Sequence, residues 1–279
     1  MDANELKAVL SKLPLGQIHY YDQIGSTNVE AVRWAEAGAS DLTLVVADEQ
    51  TAGKGRHGRK WFTPPGAALA FSLVLRPPGA APGAAGQASD PARSILRLTA
   101  LGALSVCEAL RSNYRLQAQI KWPNDVLLEQ RKTAGVLAEA HWQGSDLSAV
   151  ILGIGINIAS PSVPPMVPPD EQVAFPATCV EAVLGRPVSR TALLRQTLER
   201  LVDWYSRLDT PAFIQTWDKR LAFKGEWVNI FQDSDPANPT TRLARLIGLD
   251  DQGSLRLVDR SGETFTLLTG ELRLRPADM

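Results

Sequence analysis

The apolar positions of the chain change period several times, and each change marks a predicted element. Residues 2–12 have the spacing of a short amphipathic helix, closed by Pro14. Ile18–Tyr21 reads as a strand. Gly25-Ser26-Thr27-Asn28 then opens a helix, with Ser26 or Thr27 as N-cap, that runs through Val29, Val32 and Trp34 to Gly38. The apolar runs LTLVVA (42–47) and ALAFSLVL (68–75) predict buried strands. Ser94–Arg111 carries Ile95, Leu98, Leu101 and Leu104 at helical spacing, as a helix packed on a sheet would. LQAQI (116–120) is a strand that ends in a turn at KWPND (121–125), because Pro123 does not fit a central strand. VLLE, a tight turn at Gln130-Arg131 and KTAGVLAEAHW predict a β-hairpin, and SAVILGIGINI (148–158) a further buried strand. Helices are expected at Thr178–Leu184, Ser189–Leu208 and Pro211–Arg220.

From Gly225 the pattern becomes one of short alternating strands: EWVNIF, TRLARLIGLD, GSLRLVD, ETFTLL and ELRLR. Asp251-Gln252-Gly253 and Arg260-Ser261-Gly262 supply turns between them. Such a run predicts a small β-barrel, with a boundary near Ala222–Lys224 that divides the chain into 1–222 and 223–279. The segment 77–92, rich in Pro, Gly and Ala, reads as a surface insertion, and 161–171 as a loop.

Composition narrows the class. At 279 residues, 44% hydrophobic and 21% charged, this is an ordinary globular chain with net charge -1, so it has no general footprint for nucleic acid. Its two cysteines, Cys107 and Cys179, sit in apolar surroundings, which argues against a disulfide scaffold or metal cluster and fits a reducing cytoplasm. The first residues lack the basic and apolar regions of a signal peptide, and no run reaches membrane-spanning length. A cytoplasmic protein is expected.

One stretch departs from this average. DEQTAGKGRHGRKW (48–61) lies between two buried strands and holds Gly53, Gly55 and Gly58 with Lys54, Arg56, His57, Arg59 and Lys60. Glycines allow close approach to a ligand, and arginines offer forked donors to phosphate or carboxylate. A Walker loop is excluded, since Arg59-Lys60-Trp61 stands where Lys-Ser/Thr is required. On its own the loop fits either a solvated connection or an anion site that stays mobile until the anion arrives. Ser-Thr-Asn at 26–28 likewise fits a plain helix cap or a ligand contact. Gly153 and Gly155 lack a third glycine and a following helix, so they indicate close backbone approach, with Asn157 facing the space they open, rather than a dinucleotide fold.

Taken together, GSTN (25–28), DEQTAGKGRHGRKW (48–61), KWPND (121–125), RKTAGVLAE (131–139), GIGIN (153–157) and the closing TGELRLR (269–275) resemble the bacterial biotin protein ligases over nearly the whole chain from Ile18. The resemblance implies an α+β fold: a mixed-sheet catalytic domain of the biotin/lipoate ligase type with helices on one side, followed by an SH3-like β-barrel. It implies synthesis of biotinyl-5′-AMP from biotin and ATP with Mg2+, then transfer of biotin to a lysine of a biotin carboxyl carrier domain. Ser26, Thr27, Asn28 and Gln50 would bond the biotin head group, and Lys54, Gly55 and Arg56 would close over its tail and the phosphate. Lys132 would bridge the biotin carboxylate and the α-phosphate; without the resemblance it reads as a solvated hairpin lysine. Arg59, Trp61, Asn124 and Asn157 would flank the nucleotide, and Glu271 and Arg275 would reach ATP from the tail. Asp125 either supports magnesium or bonds its turn.

Lys54 replaces an arginine frequent in the family, and Thr133 stands beside Lys132 where the family often has leucine. Only 24 residues precede Gly25, too few for the DNA-binding domain of the family's repressors, so operator binding is not expected. A homodimer is left open. The rivals are a lipoate- or octanoyl-transferring enzyme of the same fold, and a non-enzymatic nucleotide- or biotin-sensing module.

Overall fold

The structure is a computed structural model that describes residues 1–76, 90–144, 146–163, 176–232, 240–268 and 272–276. Most of the insertion at 77–92 and most of the loop at 161–171 lie outside the described residues.

Seven strands form a mixed sheet: β1 (Ile18–Ile24), β2 (Thr43–Gln50), β3 (Ala68–Leu75), β4 (Gln119–Lys121), β5 (Asp125–Leu128), β6 (Arg131–Gln143) and β7 (Asp146–Asn157). Their order is β1-β2-β3-β7-β6-β5-β4. β1 and β2 are parallel, and every other neighbouring pair is antiparallel. Alternation along the central strands sends successive side chains to opposite faces. On one face Leu44, Val46, Phe71, Leu73, Leu152 and Ile154 join a large core with α1 (Ala3–Leu10), α3 (Pro91–Tyr114) and α5 (Arg190–Tyr205). On the other face Val45, Val74, Ala149 and Ile151 pack against Ala31 and Ala35 of α2 (Thr27–Glu36). The expected one-sided layer therefore holds for α1, α3 and α5. α2 is the correction: its two small residues let it lie close on the opposite face.

Local chemistry accounts for the helix limits. Asp2 accepts the N–H groups of Asn4 and Glu5 at the start of α1, and Asp90, followed by Pro91, accepts that of Ala92 at the start of α3. α2 is different. Ser26 is its N-cap but its hydroxyl makes no capping bond, and the side chain of Gln50 accepts the Thr27 N–H at 2.8 Å instead. The β5–β6 turn lies one residue earlier than expected, at Glu129-Gln130, and both residues take positive φ (49° and 56°). Polar residues without glycine there explain the misplacement.

All five tail strands occur: β8 (Trp227–Gln232), β9 (Thr240–Leu249), β10 (Leu255–Val258), β11 (Thr264–Leu267) and β12 (Leu272–Pro276). They form an antiparallel sheet in the order β11-β10-β9-β8-β12. Its apolar residues Val228, Ala244, Leu246, Leu255 and Leu257 belong to the same continuous core as α3 and α5. The joint is Trp217, fully buried on α6 (Pro211–Lys219), which follows the short α4 (Val180–Leu184) and α5 in the chain. Gly253, at φ +91°, lies so close that a Cβ there would stand 2.6 Å from the Trp217 ring. Trp122 of the KWPND turn donates its indole N–H to the Gly253 carbonyl at 3.2 Å. Asp218 accepts the Leu249 N–H at 2.8 Å.

A shared core predicts shared unfolding. Trp217→Ala should cost about 3–5 kcal/mol. In urea, tryptophan fluorescence and far-ultraviolet circular dichroism should shift together to a lower midpoint. Separation into two transitions, with the main sheet unmoved, would contradict the joint.

Candidate functional site

The site is a hollow in the α2 face of the sheet. Period-two alternation and the strand register put Ser72, Gly153 and Leu137 in one row across β3, β7 and β6, and Ala70, Gly155 and Gly135 in the next. Glycine and alanine leave depth where larger residues would stand, and two side chains from elsewhere enter it. A Cβ at Gly153 would lie 2.0 Å from Asn28 Oδ1, and one at Gly155 would lie 2.2 Å from the Trp61 ring. The GxG of β7 thus marks close approach, as expected. The resulting cleft is lined by residues of α2, β2, β6, β7, the glycine-rich loop and the KWPND turn.

One end of the cleft is polar and neutral. It is formed by the start of α2 and the end of β2, with Ser26, Thr27 and Asn28 nearly buried. Thr27 Oγ1 lies 3.1 Å from Gln50 Oε1, and Gln50 Nε2 donates to Thr63 Oγ1 at 3.0 Å. Ser72 Oγ lies 2.8 Å from Thr27 Oγ1 and 2.6 Å from Asn28 Oδ1. Asn28 Nδ2 donates to Glu139 Oε2 at 2.6 Å. Sequence reasoning missed Thr63, Ser72 and Glu139. The only signal was parity, since Glu139 shares the face of Gly135 and Leu137 on β6.

The other end is cationic. The glycine-rich loop, for which the sequence suggests no fixed conformation, is here a small hairpin. Lys54 pairs with Lys60, Gly55 N–H bonds Arg59 O at 2.7 Å, and Trp61 N–H bonds Gly53 O at 2.9 Å. Its base is anchored by Asp48, which accepts from Arg190 at 2.5 Å and from the Gly66 N–H at 3.1 Å. The hairpin brings Arg56 over the cleft, where Nη1 donates to Asn124 Oδ1 at 3.0 Å. Asn124 in turn donates to Val136 O on β6 at 3.1 Å. Burial pulls the Arg56 guanidinium below its usual range, Asp125 attracts it back, and Arg59 adds to the lowering.

Lys132 stands between the two ends. Its Nζ is 2.6 Å from Asp125 Oδ1 and 5.6 Å from the centre of the Trp61 ring. Lys121 reaches the other oxygen of Asp125 at 3.4 Å. Burial pushes the Asp125 carboxyl up, but the two lysines outweigh it and hold it at about 2. Its carboxylate pairs with two lysines, Lys121 of its own turn and Lys132 of β6.

Of the expected residues, Ser26, Thr27, Asn28, Gln50, Lys54, Gly55, Arg56, Trp61, Asn124 and Lys132 line one cleft. Arg59 is exposed and does not line the cleft. Asn157, on the same face of β7 as Gly153 and Gly155, donates to Thr178 O at 3.1 Å and is buried. The carbonyl of the segment after the 161–171 loop captures its amide. Glu271 lies outside the described residues, and Arg275 is placed as a backbone position of β12 opposite Asn229.

The family model described as "Biotin/lipoate A/B protein ligase family" matches residues 20–157. The chain is 34% identical to a biotin–[acetyl-CoA-carboxylase] ligase of Paracoccus denitrificans, over 85% of this chain and 92% of that one. It is 30% identical to the bifunctional ligase/repressor BirA of Bacillus subtilis (strain 168), over 94% of this chain and 76% of that one. Among solved structures, biotin protein ligase from Aquifex aeolicus in complex with biotin and ATP superposes with a TM-score of 0.73 at 28% identity, covering 94% of this chain and 99% of that one.

The Asp125 cluster carries a pH prediction. A carboxyl held at about 2 against an ordinary value of 3.8 adds stability that is present above the higher value and lost as pH falls toward the lower. Asp125→Asn should therefore cost about 2 kcal/mol at pH 7. The gap to the parent, measured by urea unfolding, should close as pH drops from about 4 to about 2. A gap independent of pH would contradict the ion-pair account.

Proposed function

The chain belongs to the biotin/lipoate A/B protein ligase family, and from its cleft we propose that it is an ATP-dependent biotin protein ligase. It would form biotinyl-5′-AMP and transfer biotin to a lysine of a biotin carboxyl carrier domain. The observation that carries this reading is the position of Lys132, on the boundary between a neutral polar pocket and a cationic lid.

Biotin has the matching polarity. Its ureido ring offers one carbonyl acceptor and two N–H donors to Ser26, Thr27 and Gln50, and its valerate chain runs along Gly153, Gly155 and Val136 toward Lys132. A lipoyl or octanoyl tail has no hydrogen-bonding head to satisfy the buried hydroxyl and amide groups of that pocket, and polar groups left unpaired there are costly. The neutral end of the cleft therefore favours biotin over the transferases of the same fold.

Lys132 takes the carboxylate and the α-phosphate together and offsets their repulsion. A carboxylate oxygen attacks the α-phosphorus, the bond to pyrophosphate breaks, and pyrophosphate leaves. Arg56 stabilises the charge that grows on the phosphorus oxygens. With the hairpin closed, Arg56 and Trp61 shield the mixed anhydride from water. The amine of the carrier lysine then attacks the acyl carbon and AMP departs. Magnesium enters this reading as part of the ATP substrate, since it binds phosphate oxygens with few protein ligands. Residues 1–222 supply the chemistry, and residues 223–279 brace the KWPND turn through Trp122.

Exchange of labelled pyrophosphate into ATP tests the first step. Exchange should depend on biotin and be absent with lipoate. Lys132→Ala should slow it about a hundredfold to a thousandfold, the range for losing one such donor. Arg56→Gly should retain part of the exchange while releasing the adenylate, so unrelated proteins in the mixture become biotinylated. Near-normal exchange by Lys132→Ala, with no off-target labelling by Arg56→Gly, would refute these roles.

A further inference from the structure

The hydrogen-bond chain behind the polar pocket has a direction that can be worked out by counting hydrogens. Glu139 presents a carboxylate, which only accepts, so Asn28 must turn its NH2 toward it at 2.6 Å. That leaves Asn28 Oδ1 facing Ser72 at 2.6 Å, and the single hydrogen of the Ser72 hydroxyl must lie in that contact. The 2.8 Å contact between Ser72 and Thr27 then needs the hydrogen of Thr27. Gln50 Oε1 is an acceptor too, since it already receives the Thr27 backbone N–H at 2.8 Å. Both polar neighbours behind Thr27 Oγ1 thus draw its hydrogen away from the cleft. Only its lone pairs face the ligand. The chain is sheltered, with Ser72 wholly buried and Thr27 and Asn28 nearly so. Space for it depends on Gly153, whose missing side chain would otherwise meet Asn28.

We propose that Glu139, acting through Asn28 and Ser72, fixes the Thr27 hydroxyl as a hydrogen-bond acceptor, so that the pocket selects a ring N–H donor on its ligand. Glu139 and Ser72 are positioning residues that set specificity without touching the ligand. Ser26 complements them: it lines the cleft, its hydroxyl does not cap its own helix, and it can donate to a ring carbonyl. The inference rests on the biotin reading above and adds the source of its preference for a ureido ring over isosteres with a ring oxygen.

The test compares biotin with the two cyclic carbamates in which a ring oxygen replaces one or the other N–H, by calorimetry on the full chain. The parent protein should bind biotin about tenfold or more tighter than the worse carbamate, as befits a buried acceptor left facing another acceptor. Ser72→Ala, a one-atom deletion, and Glu139→Ala each remove the shorter of the two contacts that hold the Thr27 hydrogen, leaving only the 3.1 Å contact to Gln50 Oε1, which already receives the Thr27 backbone N–H, so the hydroxyl can turn outward toward a ring oxygen. Both should narrow that ratio to about threefold or less, while Glu139→Gln, which keeps an acceptor oxygen, should restore most of it. A merely structural role would weaken biotin and carbamate equally and leave the ratio unchanged, which would overturn the proposal. If Glu139→Ala fails to fold, Ser72→Ala alone decides. Equal binding of biotin and both carbamates by the parent would reject the inference and spare the biotin reading. Failure of the parent to bind biotin at all would reject the reading itself.

Discussion

A cleft that brings two anions together needs concentrated positive charge before either anion arrives, and that charge must not push the fold apart. Unit charges 4 Å apart interact by about 4 kcal/mol at an effective dielectric near 20. Asp125 meets this constraint. Its carboxylate lies under the cleft between Lys121 and Lys132 and also attracts Arg56. The arrangement holds Lys132 in place, and it gives the lysine a partner to leave when a carboxylate or phosphate approaches. The rest of the structure serves this cluster. Asn124, next in the chain, holds Arg56, and Trp122 ties the same turn to the tail sheet.

The second requirement is depth. Flat sheets make poor pockets, and here the hollow comes from Gly135, Gly153 and Gly155 on the face that α2 covers. Asn28 from the start of α2 and Trp61 from the exit of the hairpin occupy the space so opened. Each belongs to a different end of the cleft. The polar pocket and the cationic lid are therefore built on adjacent rows of the same three strands, and Lys132 lies at their border. Proximity of this kind converts an encounter of two anions into a reaction between neighbours.

Much of this was legible in the sequence because the informative residues are clustered. Strong periodicity located the central strands and the long helices, and the motifs at 25–28, 48–61, 121–125 and 131–139 named most of the residues that line the cleft. What stayed hidden depended on choices between partners. Ser26 looked like a cap, yet Gln50, more than 20 residues away, accepts the Thr27 N–H. That Asp125 gathers two lysines shows only in its distances to Lys121 and Lys132. Asn157 has the parity to face the hollow, and a carbonyl on a neighbouring segment takes its amide. Ser72 and Glu139 look like ordinary polar positions in strands, and only the three-dimensional register places them behind Thr27 and Asn28. The second-face position of α2 was hidden too, because Ala31 and Ala35 carry little signal in a hydrophobic pattern.

The central claim is that this cleft joins biotin to ATP and hands the acyl group to a carrier. The most direct measurement is the intact mass of a purified biotin carboxyl carrier domain after incubation with this protein, biotin and magnesium–ATP. The account predicts a single added biotinyl group, dependent on both biotin and ATP and confined to one lysine. An unchanged carrier mass, or a modification that appears with lipoate in place of biotin, would contradict it.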